Sequence, residues 1–143
     1  MTRWMTARVI RAGGVALLLG AVVGCGILAA PTTWTPGNRQ PMIVGWQQYF
    51  RVQWDATKKN GQAIVEGYIS NTWGFAAQQM QLLVTGYDAA GTPLGQIIAW
   101  GPNEIDPGDR QYFNVAVPPG AATYDVAIFA WNWVQMGGGG TLP

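Results

Sequence analysis

Few side chains in this sequence could do chemistry, and their types restrict what it would be. The densest group of acids is Glu104, Asp106 and Asp109. Two carboxylates set about 5–10 Å apart across a cleft can hydrolyse a glycosidic bond, and three can begin to collect a calcium ion. These three, however, flank a Pro107-Gly108 turn, where acidic side chains bond local amides and face water. Their spacing also lacks the oxygen set of a defined calcium loop. No catalytic residue, metal ligand or cofactor is expected from them. Histidine is absent, which removes Ser-His-Asp and Cys-His nucleophiles and His-ligated metals. The single cysteine, Cys25, closes no intramolecular disulfide and no cysteine-cluster zinc site.

Aromatic rings are what remain. Seven of the eight tryptophans follow Cys25: Trp34, Trp46, Trp54, Trp73, Trp100, Trp131 and Trp133. Indoles stack on sugar faces or fill a partner's pocket. Trp46 and Trp54 fall on what reads as the inward row of a strand and are assigned to the core. Trp131 and Trp133 share a face with Phe129 and oppose the Val126-Ile128 row, so one row must face away from a two-sheet core. Trp73 sits in a glycine-flanked loop. Trp73, Trp131 and Trp133 are therefore the candidate binding patch for a glycan or a protein. The alternative is that Trp131 and Trp133 cover a sheet edge or pack under the preceding Pro-rich segment.

Cys25 has a separate role. Arg3, Arg8 and Arg11 are the only charges before it, and an uncharged, mostly apolar stretch runs from Ala12 to Ala30. This is the basic and apolar pattern of an export signal. Within it, Val22-Val23-Gly24-Cys25 resembles a bacterial lipobox, in which the thiol is acylated and the signal removed just before the cysteine. Two acyl chains, at ~0.8 kcal/mol per buried methylene, would hold the protein at a membrane. Two other readings stay open. The 19-residue stretch comes close to the ~20 needed to span a bilayer uncleaved, and Leu28-Ala29-Ala30 offers ordinary signal cleavage. The apolar Gly26–Ala30 run is unusual after an acylated cysteine, where chains turn polar quickly. No twin-arginine pair is present, which favours the general export route.

Elements must position these residues, and the spacing predicts strands. Residues 31–42 hold three prolines and read as a tether. Val44, Trp46, Phe50, Val52 and Trp54 alternate with polar residues at period two, as a half-buried strand does. Lys58-Lys59-Asn60-Gly61 supplies the positive φ angles of a hairpin turn. Ala63, Val65, Gly67 and Ile69 form the next inward row, with Glu66 and Tyr68 facing the other way. Met80-Leu82-Val84, Leu94–Trp100, Phe113-Val115-Val117 and Tyr124-Val126-Ile128 continue the pattern. Turns at residues 88–93, 106–109 and 118–120 separate them. Six or so regularly spaced strands without an amphipathic helix predict an all-β, immunoglobulin-like antiparallel β-sandwich behind an N-terminal signal or anchor segment.

Several of these stretches resemble the FxLYD domain family: Val65–Thr72, then Val84–Gly91, then Ile105–Gly108 and Phe113–Val115. Val84 stands where the family carries Phe, and Gly86 where it carries Leu. The resemblance covers about residues 63–129. It implies an immunoglobulin-like sandwich, exported and often lipid-anchored in bacteria, without catalysis. It also implies structural roles for Tyr87, Asp88 and Asn71, with Asp88 opening a turn and Asn71 capping a strand end.

Charge sharpens the class. Charged residues make up 10% of the chain, against about 25% in an average soluble domain. Beyond Cys25, five basic residues stand against seven acidic ones, a net of −2, so the body has no electrostatic footprint for nucleic acid. The expected organisation is a signal peptide over 1–24, a lipidated Pro-rich tether over 25–42, a sandwich over 43–136 and a flexible Gly-rich tail over 137–143. The expected protein is a lipoprotein of the bacterial cell envelope, facing away from the cytoplasm and held in the membrane through Cys25. Its domain would bind an envelope protein or a glycan, or serve as a structural accessory subunit.

Overall fold

The computed structural model describes residues 30–134. Cys25, the signal segment and the glycine tail lie outside them. One short 3-10 turn, Trp46–Gln48, precedes seven strands: β1 (Phe50–Lys59), β2 (Gln62–Asn71), β3 (Ala77–Tyr87), β4 (Pro93–Trp100), β5 (Glu104–Ile105), β6 (Arg110–Ala116) and β7 (Thr123–Trp133). All pairings are antiparallel. One sheet runs β1-β2-β6. In the other, β3 is central, with β4 and the short β5 along one edge and β7 along the other. The described residues form an all-β, antiparallel β-sandwich. Among the described residues no helix is long and apolar enough to cross a membrane.

The turn chemistry acts as the residue types require. Asn60 and Gly61 take φ of 51° and 76° and close the β1-β2 hairpin. Gly108 takes φ 76°, and the Asp109 amide donates to the Asp106 carbonyl at 3.1 Å, a Pro-Gly turn of type II. Asp88 opens its turn by accepting the amides of Ala90 and Thr92 on Oδ1 at 2.9 and 2.8 Å. The inward rows Val65-Ile69, Met80-Leu82-Val84, Phe113-Val115 and Val126-Ile128 bury against one another with Phe50, Ile105 and Val117. Each such side chain contributes about 1.5–3 kcal/mol on full burial.

Three expectations change. The period-two row does not begin at Val44. Gly45 adopts φ 78° and starts the 3-10 turn, so β1 opens only at Phe50. Val44 is fully out in solvent, while Trp46 and Trp54 are half-buried against the core.

The second change concerns the two opposed rows of β7. Pairing with β3 is regular from Tyr87↔Thr123 to Leu82↔Ile128, then shifts, so that Gln81 opposes Ala130 and Gln78 opposes Asn132. Phe129 is an extra residue on β7, and Gln79-Met80 face Trp131 alone; Gln79 carries φ 53°. A bulge changes the phase of the alternation. Both rows therefore point inward: Val126 and Ile128 before the bulge, Trp131 and Trp133 after it.

Third, the Pro-rich segment is a strap laid on the sandwich. Thr35 pairs with Gln96 on the free edge of β4 through two backbone hydrogen bonds of 2.8 and 3.3 Å. Gln96, buried on the outer face, clamps Arg39 by its side chain, accepting the Arg39 amide at 2.7 Å and donating to the Arg39 carbonyl at 3.2 Å. The strap ends at the far edge, where the Met42 amide donates to the Phe129 carbonyl at 2.8 Å. Leu83 and Thr85 are buried on the outer face of β3 because the strap covers them.

Candidate binding surfaces

The aromatic residues singled out above meet at one end of the sandwich. Tyr49, at the end of the 3-10 turn, is the hub. Its ring lies 5.0 Å from Trp73, 5.5 Å from Trp133 and 5.8 Å from Trp131. Phe50 stacks on Trp133 at 5.6 Å and meets Trp131 edge-on at 5.0 Å. Such pairs contribute about 0.5–1.5 kcal/mol beyond area burial.

The cluster is brought together, but its members differ in access. Trp131 is 5% exposed and belongs to the core, so it presents nothing to a partner. Its indole N–H has no hydrogen-bond partner among the described residues. Trp133 is half-buried. Only Trp73, at 45%, and Phe75, at 51%, offer open ring surface. The candidate patch thus loses Trp131 and gains Phe75, which lies 6.5 Å from Trp133. The loop carrying both rings is fixed by Asn71, whose amide and carbonyl oxygen hold the main chain at Trp73, Phe75 and Ile105.

A second aromatic surface lies on the outer face of β1-β2-β6. Strand register sets Arg51, Ser70 and Arg110 side by side, then Gln53, Tyr68 and Tyr112, then Asp55, Glu66 and Asn114. Tyr68 and Tyr112 are 43% and 45% exposed and meet edge-on at 5.7 Å. The Arg110 guanidinium sits 4.7 Å from the Tyr68 ring centroid, within cation–π range. The Tyr112 hydroxyl donates to Glu66, which also accepts from Lys59 Nζ at 2.6 Å. These two bonds, that of Lys59 first, hold the Glu66 carboxyl below its ordinary range, and the bond to Glu66 holds the Lys59 ammonium above its own. The group is therefore ionised at neutral pH and comes apart as acid is added through the lowered Glu66 value or as base is added through the raised Lys59 value. Beside it lies a shallow cavity of about 690 Å³ lined by Gln53, Trp54, Asp55, Glu66, Tyr68 and Tyr112. Planar polar groups around exposed rings suit a ligand with both hydroxyls and flat apolar faces.

The acids at the Pro107-Gly108 turn do not converge. Glu104, Asp106 and Asp109 are all exposed, and Asp109 accepts from Gln111 Nε2 at 3.0 Å. Among the described residues no three His, Cys, Asp or Glu side chains group as a metal would need.

No family model matches the chain, and no curated protein matches it. Among solved structures it is similar to one described as the X-ray structure of Northeast Structural Genomics Consortium target SoR45. The two share 13% identity over 69% of this chain and 96% of that one, with a TM-score of 0.39.

Sequence reasoning passed over the tyrosine face and Trp100, the most exposed of the described tryptophans at 68%. The signal for the first was present, since Glu66 and Tyr68 fall on the outward row and Tyr112 and Asn114 on the next. For Trp100 it was Gln96, whose amide marks residues 94, 96, 98 and 100 as the row facing away from the core.

Proposed function

We propose that the protein is an exported lipoprotein of the bacterial cell envelope, anchored through acylated Cys25, whose immunoglobulin-like sandwich is a non-catalytic binding or assembly module. The anchoring half of this reading is supported by the three arginines, the apolar run and the small residues before a lone cysteine. Replacing Cys25 with alanine is expected to abolish incorporation of radioactive palmitate; a labelled Cys25→Ala chain overturns the anchor.

The binding half is carried by the Tyr68-Tyr112 face, where two exposed rings are held at fixed spacing by Arg110 and Glu66 on a rigid sheet. A photocrosslinking residue at Gln53, which lies beside Tyr68 and lines the same cavity, is expected to give a discrete adduct in intact cells. Its yield should fall about tenfold when Tyr68 and Tyr112 are both alanine, the loss of one hot spot. A residue at Ala90, in the exposed turn after β3, should give no such adduct. Equal adducts from both positions, or an adduct indifferent to the tyrosines, would remove this face as the site. A glycan is favoured as the alternative ligand by the ring-and-planar-group chemistry. Trp54 lines the cavity, so soluble envelope glycans should then change its emission.

A further inference from the structure

The exposed apolar side chains of this sandwich are distributed unevenly. On β4, Leu94, Ile98 and Trp100 share the outward row and are 36%, 40% and 68% exposed. At the opposite margin of the same sheet, where the strap reaches β7, Met42 and Val44 are also out in solvent. Among the described residues the charged side chains on this face are Arg39 on the strap, Asp125 on β7 and Glu104 on the short β5. The outer face of the other sheet carries Arg51, Asp55, Lys59, Glu66 and Arg110. One side of the molecule is charge-poor and apolar, and the other is charged and hydroxylated.

The chain enters the domain on the apolar side. Ala30 and Pro31 line a cavity of about 730 Å³ together with Ile98, Ala99, Trp100 and Asn114. Five peptide units separate Cys25 from Ala30, a span of at most about 17 Å even when fully extended. A lipid attached at Cys25 therefore cannot lie far from the β4 row. The strap removes further slack, because Thr35 is already fixed to β4. The run Gly26–Ala30 has no charged or strongly polar side chain, a composition unusual for a linker in water and ordinary for one at the level of lipid headgroups. Tryptophan itself favours that level, with an apolar body and an N–H donor.

We infer that the β4 row, led by Ile98 and Trp100, rests on the bilayer surface, so that the sandwich is held side-on with its tyrosine face turned away from the membrane. This rests on the amino-terminal segment being held in the bilayer. The occupant of the apolar face is lipid. A second copy of the chain or a protein partner on it would be read as failure in the experiment that follows.

The test uses the membrane-inserted chain as cells process it, carrying Trp4→Phe so that a retained signal segment adds no interfacial indole. It is purified in detergent and reconstituted into phosphatidylethanolamine–phosphatidylglycerol vesicles, with brominated acyl chains as the fluorescence quencher. Emission from the parent should be quenched, and Trp100→Phe should lower the quenched fraction about twofold, because an interfacial indole is the one within reach of the bromines. Trp73→Phe, at the aromatic end of the sandwich, should leave that fraction unchanged. Ile98→Asp is expected to weaken quenching of Trp100 while far-ultraviolet circular dichroism stays that of the parent. Equal quenching with and without Trp100 in a chain that sediments with vesicles overturns the orientation alone. So does a concentration-dependent crosslinked dimer that shields Trp100. A chain that neither carries an acyl group nor sediments with vesicles overturns the anchor, and the orientation with it.

Discussion

Asn71→Ala is expected to destabilise the protein by about 3 kcal/mol, lowering its thermal midpoint by roughly 10–20 °C. The side chain is 1% exposed and every polar atom on it is used. Nδ2 donates to the Phe75 carbonyl at 2.7 Å and to the Ile105 carbonyl at 3.0 Å, while Oδ1 accepts the Trp73 amide at 2.9 Å. Its backbone amide and carbonyl tie the end of β2 to Asp109 and Gly108. Truncation leaves three main-chain groups to find other partners, at about 1–3 kcal/mol for each that stays buried and unpaired. Water reaching the exposed Phe75 loop recovers part, which is why the total is nearer three than nine. Asn71→Asp should be worse than alanine. A carboxylate keeps the acceptor for Trp73 but sets a negative charge against two carbonyl oxygens in a buried site. Urea unfolding at constant m-value measures both. A loss under about 1 kcal/mol for alanine would mean the loop is held without this side chain. Near-ultraviolet circular dichroism should change along with stability, because Trp73 is positioned against Tyr49 by the same loop.

That prediction uses a residue whose role was legible in the sequence through a resemblance, and the same is true of the Asp88 turn. The strands and turns were legible from alternation and from Asn60-Gly61 and Pro107-Gly108. Period-two reasoning failed where a single residue altered the backbone. Gly45, in the left-handed region, ended a row that continues on paper from Val44 to Trp54. On β7 the alternation carries no mark of the extra residue at Phe129. The conflict between the Val126-Ile128 and Trp131-Trp133 rows was visible, but its resolution needed the register with β3. For that reason alternation alone leaves Trp131 between an exposed patch and a packed sheet edge, whereas it lies in the core.

Composition misled in a different way. Three prolines and few apolar residues describe a segment that forms no regular element, and this held: residues 31–42 form no strand or helix. It does not follow that the segment is free. Its attachments are to Gln96, Gly86, Gly95, Pro119 and Phe129, partners 50 or more positions away, and such pairings are invisible to any local pattern.

The strap's main anchor is Trp34, and Trp34→Ala is expected to cost about 2–4 kcal/mol although the residue precedes every strand. Its ring enters the sandwich where β3 and β4 pair Gly86 with Gly95. A Cβ at Gly86 would stand 2.5 Å from Trp34 Cζ2, and one at Gly95 would stand 2.8 Å from Trp34 Cβ and 2.7 Å from the Thr35 carbonyl oxygen. The ring also packs against Tyr124 at 6.1 Å, and its N–H donates to the Pro119 carbonyl at 3.2 Å. Gly86 carries no side chain, so the indole from the strap fills space that a side chain of the strand itself would take. Gly86→Leu alone should therefore be destabilising, because it must expel the ring or shift β3. Joined to Trp34→Ala it should be far less so, since the leucine then enters the vacated space. The two changes are expected to couple by about 2 kcal/mol in a double-mutant cycle. Costs that add to within about 0.5 kcal/mol would show that the indole does not hold that space. The double variant also separates stability from attachment. With the ring gone, the strap keeps only its Thr35 and Arg39 bonds to Gln96 and the Met42 bond to β7. Proteolysis between Pro31 and Gln40 should then quicken in a domain that remains folded. A protease that cuts the strap equally fast in the parent would show that Trp34 fills the sandwich without holding the strap down.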